Sequence, residues 1–390
     1  MMKLSLKNVK IIAFLGAALC AAFAGWQFYE HRVYKEPVVL GPGVTEVRKL
    51  SDYSPAVKGT VNDCNVYILD SGKPGGTALL IGGTHPEEPA ANLSSLLFVE
   101  NAVPESGRLL VINRANTSAS LCTRMGEAYP RFYSVETPWG KRTWRMGDRC
   151  ASPLHSWPDP EVYIHYPSGQ NLAYMDIRNL NRAWPGRENG LIVERTTYAM
   201  MELIRKEKVD LVLDYHEAEL EYPVENTIVV HENAQAVGAM TSMMLTSATF
   251  PVPIGMEFSP KMLHGLSHRE IGDNSQAMSL LAEVAEPMLD RIRGVTDEEL
   301  LMSGKDRFVM KAGEHKLLYA PIDEKGWPIE IRVGRHVTTF MTMLQVLAQM
   351  DPSKALVLEN VPDYATMVQG GLGAYFHNPE NAGEGRVFYD

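Results

Sequence analysis

The sequence predicts an α/β protein, a mixed β-sheet sandwiched by helices, with a long insertion and a C-terminal extension. Three observations lead there. Short apolar runs bounded by turn residues alternate with longer stretches of helical spacing, as in 78–81 followed by 89–100, and 188–208 followed by 210–215. The 390 residues are 45% apolar and 22% charged, which suffices for a large core and marks no disordered or fibrous chain. Between 114 and 186 the alternation fails, and a segment rich in Pro, Trp, Tyr and Arg follows. An irregular stretch of that size is uncommon unless it shapes a site, so 114–177 reads as an insertion rather than a separate domain.

At the N-terminus, Lys3, Lys7 and Lys10 precede the uncharged run 11–24, and Ala22-Phe23-Ala24 offers a small-x-small cleavage site. Residues 1–30 are therefore read as a signal peptide or an uncleaved N-terminal membrane anchor. Either places the rest of the chain outside the cytoplasm, in the periplasm or an equivalent compartment. The catalytic domain is expected over 38–350, with a probable edge strand in 38–55. Strands are expected at 65–70, 78–81, 108–113, 210–215, 226–230 and 279–284. Helices are expected at 89–100, 188–208, 233–247 and 337–350. The first of these has amphipathic spacing. The Gly-, Asn- and Pro-rich residues 351–390 read as a surface extension. With 37 basic against 47 acidic side chains, the net charge of −10 argues against a nucleic-acid binder. Of the cysteines beyond the leader, Cys122 and Cys150 are the candidate disulfide pair, since export favours oxidation.

Four motifs carry chemistry. Gly82-Gly83-Thr84-His85-Pro86-Glu87-Glu88 follows an apolar strand, and an imidazole and a carboxylate three residues apart can reach one cation. Arg178-Asn179-Leu180-Asn181-Arg182 then supplies a guanidinium and an amide suited to a carboxylate. Asp214-Tyr215-His216-Glu217 ends a strand, with Asp214 and His216 on one face, so that Asp214 can support a His216 ligand. Glu283 is an acid inside the apolar run 280–284, costly to bury without a task or a partner. Each motif alone has a plainer reading, as a polar loop, a surface arginine or a satisfied core group.

Taken in order, the motifs resemble the zinc carboxypeptidase superfamily, and most closely its succinylglutamate desuccinylase/aspartoacylase branch, over roughly residues 65–290. The resemblance implies one Zn²⁺ per chain held by His85, Glu88 and His216. It implies a substrate carboxylate held by Asn181 and Arg182, with Arg178 as a further candidate, and Glu283 as the catalytic carboxylate, with Glu286 as its rival. It also implies hydrolysis of an amide bond in an N-acyl amino acid, with peptide trimming as the alternative and a non-catalytic binding protein as a third reading. Two family features are missing. No tyrosine stands between Pro223 and Leu318, and Tyr174 occupies the place of an aspartoacylase-type arginine, for which Arg178, Arg114 or Arg124 could substitute. His264 and His268, four apart, have the spacing of a helical metal pair, but Gly265 and the surrounding glycines and prolines favour a loop, with a substrate-facing lid preferred over a second metal. The basic and aromatic residues Arg131, Trp139, Lys141, Arg142, Trp144 and Arg145 could bind a polyanion or a sugar, or simply pack the insertion.

Overall fold

The computed structural model describes residues 5–122, 130–158, 160, 162–173, 176–247, 253–288 and 296–390, so that Arg124 and Tyr174 lie outside the described residues. Contacts divide the chain into two units, 1–35 and 36–390. The first contains a helix over Leu6–Val33, 28 residues with mean hydropathy 1.9 in its most apolar window. At about 1.5 Å per residue it is long enough to cross a bilayer.

The second unit is built on a mixed sheet of eight strands: β1 (Val44–Lys49), β2 (Asn65–Asp70), β3 (Thr77–Ile81), β4 (Arg108–Ile112), β5 (Leu211–Glu219), β6 (Thr227–Val230), β7 (Gly255–Phe258) and β8 (Met278–Glu286). They lie in the order β7-β6-β8-β5-β3-β4-β2-β1. The centre β8-β5-β3-β4 is parallel, whereas β2 and β1 join antiparallel and β6 runs antiparallel to β8. The expected edge strand is β1.

Side-chain alternation divides the core. Leu80, Leu109, Val111, Leu211, Leu213 and Tyr215 pack on one face against the helices Pro89–Asn101 and Ile329–Met350. Leu79, Ile81, Leu110, Ile112 and Val212 pack on the other with the helix Ile192–Lys206. The Pro89–Asn101 helix is not amphipathic as expected. Every residue from Pro89 to Glu100 is buried, because sheet, C-terminal helix and insertion enclose it on all sides.

Strand and helix ends differ from the sequence reading. β5 runs four residues past Tyr215 and β8 two past Val284, since the two strands pair in parallel over nine registered residues. His216 thus lies within a strand rather than at its end. Glu286, read as beyond its strand, is the last residue of β8. The closing helix begins at Ile329, after Pro328, and the stretch around His268 is a helix, Ser267–Asn274, where a loop was expected.

The insertion is not structureless. Phe132–Thr137 and Gly140–Arg145 form a hairpin, and Tyr163–Ile164 pairs with Asn171–Leu172. Its basic residues are largely committed inside. Arg142 is buried on Glu100 at 2.7 Å, Arg114 on Glu36 at 2.6 Å, and Arg145 stands 3.7 Å from Glu36. Tyr133 stacks on buried Trp144 at 5.9 Å. Self-packing is the account the contacts support. No disulfide joins Cys122 and Cys150. Both are thiols, and the Cys122 Sγ donates to the Cys150 carbonyl at 3.5 Å. Within 351–390, Val357–Glu359 pairs with Val103–Ser106 and Val387–Tyr389 with Pro37–Val39.

Candidate metal centre and its cavity

The three parallel strands β3, β5 and β8 bring the motifs together at their C-terminal ends, where α/β sheets bind ligands. After β3 the chain must turn back into the buried helix within a few residues. Gly83 allows this with φ +64, and a Cβ there would come within 2.8 Å of the Asn113 carbonyl. Glu88 then occupies the N-cap of the helix and Pro89 its first turn. The Glu88 carboxylate makes no cap of its own and turns toward the sheet instead. The Ala90 N–H is satisfied from outside the helix, donating to the Glu217 carboxylate at 2.6 Å.

His85, Glu88 and His216 are buried with one donor atom each within 4.8 Å of the others. Both Nδ1 atoms face the same carboxylate, His85 Nδ1 at 2.7 Å from Glu88 Oε1 and His216 Nδ1 at 3.0 Å from Glu88 Oε2. The rings meet edge to face at 4.7 Å. Their outer nitrogens meet acceptors: His85 Nε2 lies 2.8 Å from Asn179 Oδ1, and His216 Nε2 3.0 Å from Asp214 Oδ2. Each imidazole can therefore donate from Nε2 and keep the Nδ1 lone pair turned inward. Two inward imidazole nitrogens and one carboxylate fit Zn²⁺ and leave a tetrahedral position open. Asp214 is itself held by Thr84 Oγ1 at 2.9 Å and Ser267 Oγ at 2.6 Å.

Electrostatics follow from burial and neighbours. Burial works against the charge on Glu88, yet the imidazoles of His85 and His216 hold its carboxyl below the ordinary value. Burial also works against a charge on His216, but Asp214 and Glu88 more than offset it and raise its pKa well above the usual range. Glu87 is pushed up to about 7 by burial despite Arg149.

Glu283 stands directly across from His216 in the β5–β8 register. Burial raises its carboxyl well above the ordinary value, with further push from Glu88 and Glu219. It lines a cavity of about 660 Å³, together with His85, Glu88, His216, Asn181 and Arg182. Asn181 accepts from the Ser267 N–H at 2.7 Å, while Arg182 leans toward Asp176 at 3.6 Å and is 24% exposed. Arg178 is not among the lining residues, and its Nε donates to the Ala151 carbonyl at 2.9 Å. Glu286 faces the opposite side of the sheet, fully buried, and accepts from the Met288 N–H at 2.6 Å. Arg114 is likewise consumed by Glu36.

Sequence reasoning missed Arg149. The insertion carries it into the cavity, where its Nε donates to Glu87 at 2.8 Å and its Nη2 lies 3.9 Å from Glu88 and 3.8 Å from Glu219. No local motif surrounds Arg149, and only its pairing beside Glu87 and Glu88 reveals it. Tyr222, just ahead of the tyrosine-free stretch between Pro223 and Leu318, also lines the cavity. His264 and His268 part company. His264 pairs with Glu270 at 2.7 Å and stacks on His165 at 5.8 Å, whereas His268 lines the cavity and contacts Ser259 Oγ at 2.8 Å.

No protein-family model and no curated protein matches the sequence. Solved structures do match. The metallo-carboxypeptidase of Burkholderia cenocepacia is similar at 13% identity and a TM-score of 0.44, over 79% of this chain and 66% of its own. A metallo-carboxypeptidase from Pseudomonas aeruginosa, in complex with (2-guanidinoethylmercapto)succinic acid, gives 13% and 0.43, over 80% and 66%. An aspartoacylase family protein from Mesorhizobium loti gives 18% and 0.33, over 57% and 55%. The chain thus spans 66% of the length of the two carboxypeptidases. The chemistry of the site rests on its own residues.

Proposed function

We propose that this chain is an exported zinc-dependent hydrolase that cleaves an amide bond in an N-acyl amino acid or a similar carboxylate-bearing substrate. The observation that carries the reading is the placement of Glu283 across from His216, beside two inward-facing imidazole nitrogens and Glu88, in an open cavity that also holds two arginines. Zn²⁺ held by His85, Glu88 and His216 would lower the pKa of a water and polarise a carbonyl. Asn179 and Asp214 keep the imidazoles in the ligating tautomer. Glu283 takes a proton from water and returns it to the departing amine. Asn181 and Arg182 orient the substrate through its carboxylate, which keeps the scissile bond near Glu283. Arg149 offers a fixed positive charge beside Glu88, suited to negative charge developing on the carbonyl oxygen. The apolar Leu6–Val33 helix, with Lys7 and Lys10 in its first turns and Lys3 just ahead of it, supports export, either as a cleaved leader or as an anchor. A carboxypeptidase reading has one observation in its favour, namely that Tyr222 supplies a phenol at the cavity mouth.

Elemental analysis and turnover test the proposal together. Purified protein is expected to carry about one zinc per chain, lost in His216→Ala. Glu283→Gln should keep the metal and lose roughly 10²- to 10⁴-fold in kcat on N-acyl amino acids. Folded wild-type protein that takes up no zinc on reconstitution, or a Glu283→Gln variant of normal activity, sinks the mechanism.

A further inference from the structure

The cavity does not end at Glu283. Away from the metal triad it continues over β8, β6 and β7, whose residues fall in register. Leu281 is opposite Val229, and Val229 is opposite Glu257. All three line the cavity on the face that carries Glu283. This floor is apolar for two strands and then ends in a carboxylate on the outermost strand. Leu266 and Pro260 also line it. Among the described residues no cation pairs with Glu257, whereas three of the acids that line the cavity, Glu88, Glu217 and Glu219, lie beside His85, Arg332 and Arg149.

The spacing is that of a long side chain. Two residues along β8 and two strand spacings across the sheet separate Glu283 from Glu257 by roughly 12 Å between backbones. An extended lysine or arginine side chain, met by Glu257 reaching inward, spans that gap. A shorter apolar side chain leaves the carboxylate unused. We propose that this chamber selects a basic side chain, its aliphatic stem on Leu281 and Val229 and its cationic tip at Glu257. The amino acid released by the hydrolase is then lysine- or arginine-like. This deepens the proposed function and rests on it for the position of the scissile bond.

The test separates binding from turnover. Zinc-loaded full-length protein is titrated with L-lysine and with L-norleucine, which has the same stem without the charge, and hydrolysis of their N-acetyl forms is measured alongside. At low ionic strength lysine is expected to bind about fivefold tighter, the size of an ion pair at an exposed rim. Added salt should erode the preference. Glu257→Gln, a change at an exposed position, should abolish it while leaving norleucine binding and the melting temperature unchanged. Equal affinities, a preference for norleucine, a preference that survives Glu257→Gln, or no binding of either amino acid overturns the inference. Hydrolysis of both N-acetyl compounds without preference defeats the inference alone. Selective lysine binding without hydrolysis of either compound defeats the hydrolase reading alone.

Discussion

Asp214 shows how a single residue can shape the candidate metal centre without belonging to its His85, Glu88 and His216 triad. Its carboxylate takes three hydrogen bonds at once, from Thr84, Ser267 and the outer nitrogen of His216. Removing the charge while keeping the shape weakens the imidazole as a ligand and leaves the fold intact. Asp214→Asn is therefore expected to lower zinc affinity about 10- to 100-fold, read by competition with a chelator. Asp214→Ala should in addition lose stability, because two buried hydroxyls lose their acceptor at about 1–3 kcal/mol each. Unchanged affinity in Asp214→Asn would show that the ring is positioned by packing alone.

Among elements, the Ile329–Met350 helix supports the site from beneath the sheet. Its Arg332 is fully buried, 2.7 Å from Glu217, and also donates to the Leu301 carbonyl. Glu217 in turn accepts from the Ala90 N–H, and its own N–H donates to Glu88 at 3.1 Å. A change in the C-terminal helix thus reaches the helix start that carries Glu88. Arg332→Met leaves Glu217 and Glu286 buried without their cation, a loss of about 3–5 kcal/mol when both are charged. Burial already raises Glu217 to about 6 and Glu286 well above its ordinary value. An acid with a raised folded pKa contributes stability below its unfolded pKa and loses it as pH rises. The deficit of Arg332→Met should accordingly be larger at pH 8 than at pH 5, read from urea denaturation at both. A deficit independent of pH would assign the loss to packing.

At the scale of the whole molecule, Glu36 ties distant segments together. It is buried between Arg114 at 2.6 Å and Arg145 at 3.7 Å, and its carbonyl accepts from the Asp390 N–H at 3.1 Å. Burial disfavours its charge, but Arg114 and Arg145 outweigh that and lower its carboxyl below 4.5. A depressed folded pKa gives stability that is present above the unfolded value and lost as pH falls through it. Melting temperature should therefore fall more steeply below pH 4.5 in the wild type than in Glu36→Gln, which starts lower at pH 7. Parallel pH profiles would remove Glu36 from the acid response.

Much of this architecture is legible in the chain itself. The strand runs, the glycine turn before His85 and the order of the four motifs depend on local spacing, and local spacing survives folding. The sequence alone thus determines an α/β sheet and nominates His85, Glu88, His216, Asn181, Arg182 and Glu283, which line one cavity. It cannot exclude Arg178, whose guanidinium meets a backbone carbonyl instead, nor find Arg149, which owes its place to an insertion folded back on the sheet. Only the tertiary structure decided those two, as it decided that Cys122 and Cys150 remain thiols and that β5 runs past His216. The physical reason is common to all four: strand length, burial and pairing depend on partners far away in the chain, and no window along the sequence contains both sides of such a contact.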